Sequence, residues 1–448
     1  MPYEFFCRSV RGASHIRKNT PCEDYGIKRD QGKFRVFAVA DGHGDPNCLR
    51  SNVGSKFACE IAGEVLSEFG SELREIGKEE LLFDEEKQGE LLYWLKRSIV
   101  SRWIIAIDGE LRENPLTEEE LANAPKYGDE YSRGVRTERM YGTTLIAGLL
   151  TDRYLLLLQQ GDGRCDVFDS DGRVSQPIPW DDRCVGTATT SMCDLDTIQS
   201  MRSLVIDLSS NPVIACIAGT DGVEDSFPTS MEKTHAYYRE ILREACEYGV
   251  AALEENLERD LSELSKAGSA DDITVAGFVD IERTRPFLGD FEEANRAIDV
   301  QDELVVINDR LQSIQNGGMF AHLSRLYDDS MSLYETAKDK FDIVDAEFQE
   351  LEDEIASDNE KISDDEDENI VIALIRRKIL TSSILRDYEE CSERRQAALE
   401  DLAKAEELKK SAEEQFIPRR DEYDELIAKR EATLEKMREI EKDQGKNQ

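Results

Sequence analysis

The apolar, β-branched and aromatic run FRVFAVA ends in Asp41-Gly42-His43-Gly44. Such a run reads as a buried strand, and the glycines let the chain turn sharply behind it, so a carboxylate and an imidazole stand at a sheet edge. Acids recur after apolar runs far along the chain, at Asp162, at Asp221 and Asp225, and at Asp271 and Asp272. Carboxylate and carbonyl oxygens suit hard cations such as Mg²⁺ or Mn²⁺, whereas zinc favours Cys and His clusters that this chain lacks. There are only four histidines, His15, His43, His235 and His322. Two hard cations about 4 Å apart can lower the pKa of a bridging water and stabilise the attacking and leaving oxygens of a phosphoryl transfer. Asp41 could bridge such a pair, and the Gly42 carbonyl could ligate because no side chain blocks its approach. Taken singly, Asp before Gly is ordinary turn punctuation, so only the convergence of several acids would carry this chemistry.

The elements that must position these residues alternate between strands and helices. Strands are expected at Tyr3–Val10, Phe34–Ala40, Thr144–Leu150, Tyr154–Gln159, Asp166–Asp169, Leu204–Asp207, Val213–Ala218 and Ile273–Asp280. Helices are expected at Val53–Glu68, Glu90–Leu111, Lys233–Glu247 and Ala251–Lys266, where apolar residues recur every three or four positions. Successive strands joined by short turns fit an antiparallel α+β layering better than a parallel, doubly wound sheet. Asn114–Arg139 is polar, contains Pro115 and Pro125, and reads as a surface excursion or a lid.

Composition changes near Arg283–Gly289, where RTRPFLG ends the strand pattern. Two domains are expected, 1–285 with the chemistry and 290–448 helical. In the helical part, Gly317-Gly318 and the acidic run Ser363–Asn369 interrupt the pattern. The acids between Asp342 and Glu368 have only Lys361 as a counter-charge, which favours a turn over a straight rod. Leu399, Leu402, Ala405, Leu408, Ala412 and Phe416 form an apolar stripe expected to pack in a helical bundle or coiled coil, with Pro418 kinking or ending a helix.

The net charge of −40 over 448 residues argues against a general nucleic-acid binder and against docking on anionic membranes. Ten scattered cysteines without a CxxC pair fit a reducing compartment. The start MPYEFFCRSVRG lacks the basic and apolar segments of a signal peptide, and the greasy stretches are too broken to span a bilayer, so the expected location is the cytoplasm.

The order and spacing of these elements resemble the metal-dependent type 2C protein serine/threonine phosphatases. The resemblance rests on Glu23-Asp24 in HIRKNTPCEDYG, VADGHG at 39–44, GTT at 142–144, QGDGR at 160–164, TDGVED at 220–225 and ADDITV at 270–275. It covers about residues 1–281, and SHIRKNTPCED, Trp180 and TATTSM look more like the bacterial and archaeal branch. It implies a four-layer α-β-β-α sandwich of antiparallel sheets, with the helical region following. It also implies hydrolysis of phosphoserine and phosphothreonine in phosphoprotein substrates by a water on two Mg²⁺ or Mn²⁺ ions, without a covalent phosphoenzyme. By resemblance, Glu23, Asp41 and the Gly42 carbonyl hold one ion and Asp41, Asp221 and Asp271 the other. Asp162 and Asp225 match positions that help hold a third, weaker ion, and His43 matches the general acid. The family's phosphate-binding arginine falls on Asn19 here, so Arg17 is the expected substitute, with Lys18 also close. The other departure, Gly163 where the family often has Ser, is expected to alter only the local turn. The C-terminal helices would serve partner binding or self-association. Two rival readings stay open: a pseudophosphatase acting through those helices, and a phosphatase of small phosphate esters.

Overall fold

The computed structural model describes residues 2–444 apart from 187, 228–230, 317 and 364–369. The chain divides into two compact units, Met1–Ile298 and Asp299–Gln448. In the first unit, the described strands are β1 (Glu4–Val10), β2 (Tyr25–Asp30), β3 (Arg35–Ala40), β4 (Leu145–Leu150), β5 (Tyr154–Gln160), β6 (Arg164–Asp169), β7 (Val174–Ser175), β8 (Arg202–Asp207), β9 (Val213–Gly219) and β10 (Ile273–Val279). They form two antiparallel sheets, ordered β1-β10-β9-β6-β7 and β2-β3-β4-β5-β8.

Side-chain alternation in the central strands supplies two apolar faces at once. On β3, Phe37 and Val39 point between the sheets, where the rings of Phe5, Phe37 and Phe278 meet with centres 5.2–6.3 Å apart. Val36, Ala38 and Ala40 point outward to the helices Ser51–Glu75 and Glu85–Glu113. The helices Met231–Tyr248 and Val250–Ala267 cover the other sheet through Tyr238, Leu242, Leu253 and Leu257. The result is the α-β-β-α sandwich.

Three features differ from the sequence reading. β2 was not expected, because YGIKRD is only half-buried; it is an edge strand whose register against β3 supplies the pattern its own residues lack. The excursion 114–139 is folded: the short helices Glu118–Ala122 and Gly128–Ser132 bury Ala124 and Tyr131 against the core. The first unit also extends beyond 285–289, because Phe291 packs on Phe168 and Phe287, and Asn295 donates to the Ala236 carbonyl at 3.2 Å.

In the second unit, the helix Leu288–Asn316 from Asp299 onward and the helix Met319–Ser363 both run antiparallel to Ile370–Gln444. Ascending positions meet descending ones: Glu303 with Lys429 at 3.1 Å, Arg310 with Glu422, Phe320 with Phe416, Lys340 with Asp401 and Phe348 with Tyr388. The expected helical bundle or coiled coil thus takes the form of an antiparallel pairing along one long helix. Its seam keeps Ala405 and Phe416 of the expected stripe but not all of it. Cys391, Ala398 and Ala405 are buried at seven-residue spacing, whereas Leu399 and Leu408 are 45% and 57% exposed. Elsewhere along the seam the last helix contributes rings, Phe416 against Phe320 and Tyr327 and Tyr388 against Phe348. Pro418 does not end the helix. The expected turn at Ser363–Asn369 falls on 364–369, outside the described residues, as do the side chains of the apolar stretch Ile370–Leu385. No helix among the described residues is long and apolar enough to cross a membrane.

Candidate active site

The acids reach one place because four strand ends do. After β3, the Asp41 carbonyl accepts from Thr143 Oγ1 and Thr144 N, both at 2.8 Å, and Asp41 N donates to Thr144 Oγ1 at 3.0 Å. Gly42 N donates to the Glu23 carbonyl at 3.1 Å. A Cβ on Gly42 would stand 2.6 Å from that carbonyl oxygen and 2.8 Å from the Ser51 backbone, so only glycine lets these segments close together. Asp162 occupies the β5–β6 turn, where a Cβ on Gly163 would meet the Gly219 carbonyl at 2.7 Å; the departure to glycine is therefore a packing requirement. Asp221 follows β9 and Asp271 precedes β10, and the Gly222 backbone presses on Asp272 with no room for a side chain.

Glu23, Asp41, Gly42, His43, Asp162, Asp221, Asp225 and Asp271 all line one cavity of about 710 Å³. Burial, then the charges of Asp221, Asp24, Asp271 and Asp162, pushes Asp41 well above the usual carboxylate range. Asp221 is pushed up to about 7, by burial first and then by Asp162, Asp225 and Asp271. Burial likewise raises Glu23, while the Ser51 hydroxyl, 2.9 Å from Oε1, and the charge of His15 pull it back. His43 moves the other way: burial lowers it, opposed by Asp162 and Asp45.

Asp24 and Asp272 stand behind the cavity wall. Asp24 accepts from Thr220 Oγ1 at 2.8 Å, and Asp272 accepts from Gly12 N at 2.5 Å and Glu23 N at 2.6 Å. They fix the backbones that present Glu23 and Asp221.

Two positions bear on the sequence reading. Arg17 is exposed and does not line the cavity, whereas Lys18 does. The short helix Ala13–Lys18 ends at Asn19 in the left-handed conformation, φ 58°, and the turn directs consecutive side chains apart. His15 also lines the cavity, with Nδ1 2.8 Å from Asp272 Oδ2 and Nε2 3.6 Å from Glu23 Oε2. Its scarcity in the chain and its place eight residues before Glu23 were the only signals for it.

The family described as protein phosphatase 2C matches residues 11–261, more than half of the chain. The chain belongs to the protein phosphatase 2C family. It is accordingly a protein serine/threonine phosphatase. The family match ends before Asp271, so that residue is placed at the site by the fold. Among solved structures the chain is similar to a bacterial serine phosphatase, with 18% identity, TM-score 0.37, and coverage of 62% of this chain and 97% of the other. It is also similar to a serine/threonine phosphatase from Staphylococcus aureus (16% identity, TM-score 0.37, 62% and 94% covered). A third is the serine/threonine phosphatase PstP/Ppp of Mycobacterium tuberculosis (16% identity, TM-score 0.36, 62% and 98% covered). No curated protein matches the chain.

Proposed function

We propose that this cavity hydrolyses phosphoserine and phosphothreonine in proteins with the help of two Mg²⁺ or Mn²⁺ ions. The observation that carries the reading is the convergence of acids from four separate strand ends on one cavity. Their donor set fits hard cations: oxygen only, with mutual repulsion that divalent charge would relieve. Asp162 Oδ1 is buried without a hydrogen-bond partner, as expected of an oxygen kept for a cation. Among the described residues no group of three His, Cys, Asp or Glu side chains is arranged to hold an ion as it stands. That is compatible with Mg²⁺, which keeps several waters and takes one or two carboxylates directly.

Glu23, Asp41 and the Gly42 carbonyl would hold one ion, and Asp41, Asp221 and Asp271 the other, with Asp162 and Asp225 toward a third. When bound, such ions supply a water of lowered pKa and neutralise phosphoryl charge. The side chains do the rest. His43 holds a proton on its imidazole and gives it to the departing serine or threonine oxygen, which is a poor leaving group as an alkoxide. Lys18, without an ion-pair partner among the described residues, offers its ammonium to the phosphate. Catalysis is assigned to the first unit, and partner binding or self-association to the helical second unit.

The test is Mn²⁺-dependent phosphate release from a phosphothreonine peptide. Lys18→Met should raise KM about tenfold or more, the worth of one charge-assisted hydrogen bond, while Arg17→Met leaves it unchanged. The opposite ranking would return the phosphate contact to Arg17. His15→Ala should weaken Mn²⁺ binding about tenfold in calorimetry, because the imidazole between Asp272 and Glu23 orients a candidate ligand. An unchanged affinity would reduce His15 to packing.

A further inference from the structure

The excursion between the helix Glu85–Glu113 and β4 carries charge that the proposed chemistry does not use. The Tyr127 ring has Lys126 Nζ 4.8 Å, the Arg139 guanidinium 5.3 Å and the Arg136 guanidinium 6.0 Å from its centre. Arg139 also donates to the Tyr127 hydroxyl at 3.4 Å. Lys126, Arg133, Arg136 and Arg139 are all exposed. Glu130 sits 3.5 Å from Arg136, but no carboxylate among the described residues forms an ion pair with Lys126, Arg133 or Arg139. In a chain of net charge −40, cations left uncompensated around one aromatic ring are out of keeping with the rest of the surface.

The patch is fastened to the His43 side of the cavity. Lys126 N donates to Asn47 Oδ1 at 3.0 Å, and Tyr131 Oη donates to the Asn47 carbonyl at 2.9 Å. Asn47 N donates to Oδ1 of Asp45, a cavity-lining residue, at 2.7 Å. From the other end, Gly142 N donates to the Arg139 carbonyl at 3.2 Å, and the Gly142 carbonyl accepts from His43 N at 3.1 Å. Both ends of the patch are thus one short link from cavity residues.

We propose that this patch docks an acidic segment of the phosphoprotein substrate, a few residues away from the phosphoresidue. The cavity wall is itself largely acidic and would repel carboxylates, so a substrate rich in Asp and Glu gains a favourable contact on this rim. Cations held over an aromatic ring keep their outer faces free for carboxylates while losing little side-chain freedom.

The inference rests on the phosphatase reading, and its test separates the two. Phosphothreonine peptides with flanking Asp/Glu or with Gln at the same positions are compared on the full chain and on the double variant Lys126→Gln, Arg139→Gln. The full chain should show a KM roughly fivefold to tenfold lower for the acidic peptide, shrinking as salt rises. The double variant should lose that preference and keep its turnover of para-nitrophenyl phosphate. Equal KM values on the unaltered chain, or a preference that survives the double substitution, would overturn the docking site alone. A double variant that bound every peptide more tightly would also overturn it, pointing to the chain's own acidic residues as occupant. A chain inactive on all three substrates would sink the phosphatase reading and this inference together.

Discussion

Asp41→Asn should lower kcat on a phosphothreonine peptide by about a thousandfold at saturating Mn²⁺, on the order of 4 kcal/mol of barrier. The substitution keeps the shape of the side chain and removes the one carboxylate expected to serve both ions. It should also have an opposite effect on the metal-free fold. Burial, and after it the like charges of Asp221, Asp24, Asp271 and Asp162, pushes Asp41 well above its usual range. Removing the ionisable carboxyl relieves the cost of burying it and the repulsion from its neighbours, so the variant in EDTA should melt a few degrees higher than the unaltered chain. The pairing of lost turnover with a stabilised metal-free fold distinguishes a metal centre from a merely structural acidic cluster, whose loss would lower stability. If the unaltered chain were no faster than Asp41→Asn, catalysis at this cavity would be ruled out and the pseudophosphatase reading would take its place.

The parts of the fold that were legible in the sequence are those in which local chemistry and tertiary role coincide. β3, β4, β5, β9 and β10 are buried on both faces, so their apolar runs announce them before any packing is known. β2 was hidden because an edge strand facing solvent can carry Lys28, Arg29 and Asp30. The seam of the last helix was read only in part: Ala405 and Phe416 of the expected stripe are buried, but Leu399 and Leu408 are exposed while Cys391 and Ala398 are buried. Sequence spacing finds a stripe, but the partner's shape decides which stripe is buried.

The candidate site divides in the same way. Asp41, Asp162, Asp221 and Asp271 could be named because each sits directly after or before an apolar run, where the strand end dictates its position. Lys18 could be named only as an alternative to Arg17, and His15 not at all, because their direction depends on a six-residue helix and the left-handed turn at Asn19, which no periodicity encodes. The basic patch was invisible for a further reason. Lys126, Arg136 and Arg139 are spaced without pattern in a stretch that also contains Asp129, Glu130 and Glu138, and only the fold gathers them around Tyr127.

What holds that stretch in place is Arg50, and Arg50→Met is expected to be the most destabilising single substitution near the site. The guanidinium is nearly buried, with Nη1 2.9 Å from Glu110 Oε2 and 2.7 Å from the Asn114 carbonyl. Nε and Nη2 bind the two oxygens of Glu120 at 2.9 and 3.1 Å. One planar fork therefore ties the start of the helix Ser51–Glu75 to the end of Glu85–Glu113 and to the excursion. Methionine would fill the space but leave Glu110 and Glu120 facing each other without a cation, at a cost of about 3–5 kcal/mol. Lysine should not rescue it, because a point charge cannot serve three partners in one plane.

The pH dependence has a definite sign. Its hydrogen bonds to Arg50, and further bonds at Thr117, lower Glu120 from 4.5 to about 2. A carboxylate depressed in the folded state stabilises the fold above its unfolded value and loses that contribution as pH falls through the folded one. The stability gap between the unaltered chain and Arg50→Met should therefore be full above about pH 5 and narrow between about pH 4.5 and 2, as denaturant titrations at several pH values would register. A gap that stayed constant across that window, or one under about 1 kcal/mol at neutral pH, would show that the network contributes little. Because Ser51, the next residue, holds Glu23, and because the excursion carries Lys126 and Arg139, the same variant should weaken Mn²⁺ binding and the preference for acidic peptides together. Loss of stability with both of those properties intact would mean that the site and its rim are held by something other than this arginine.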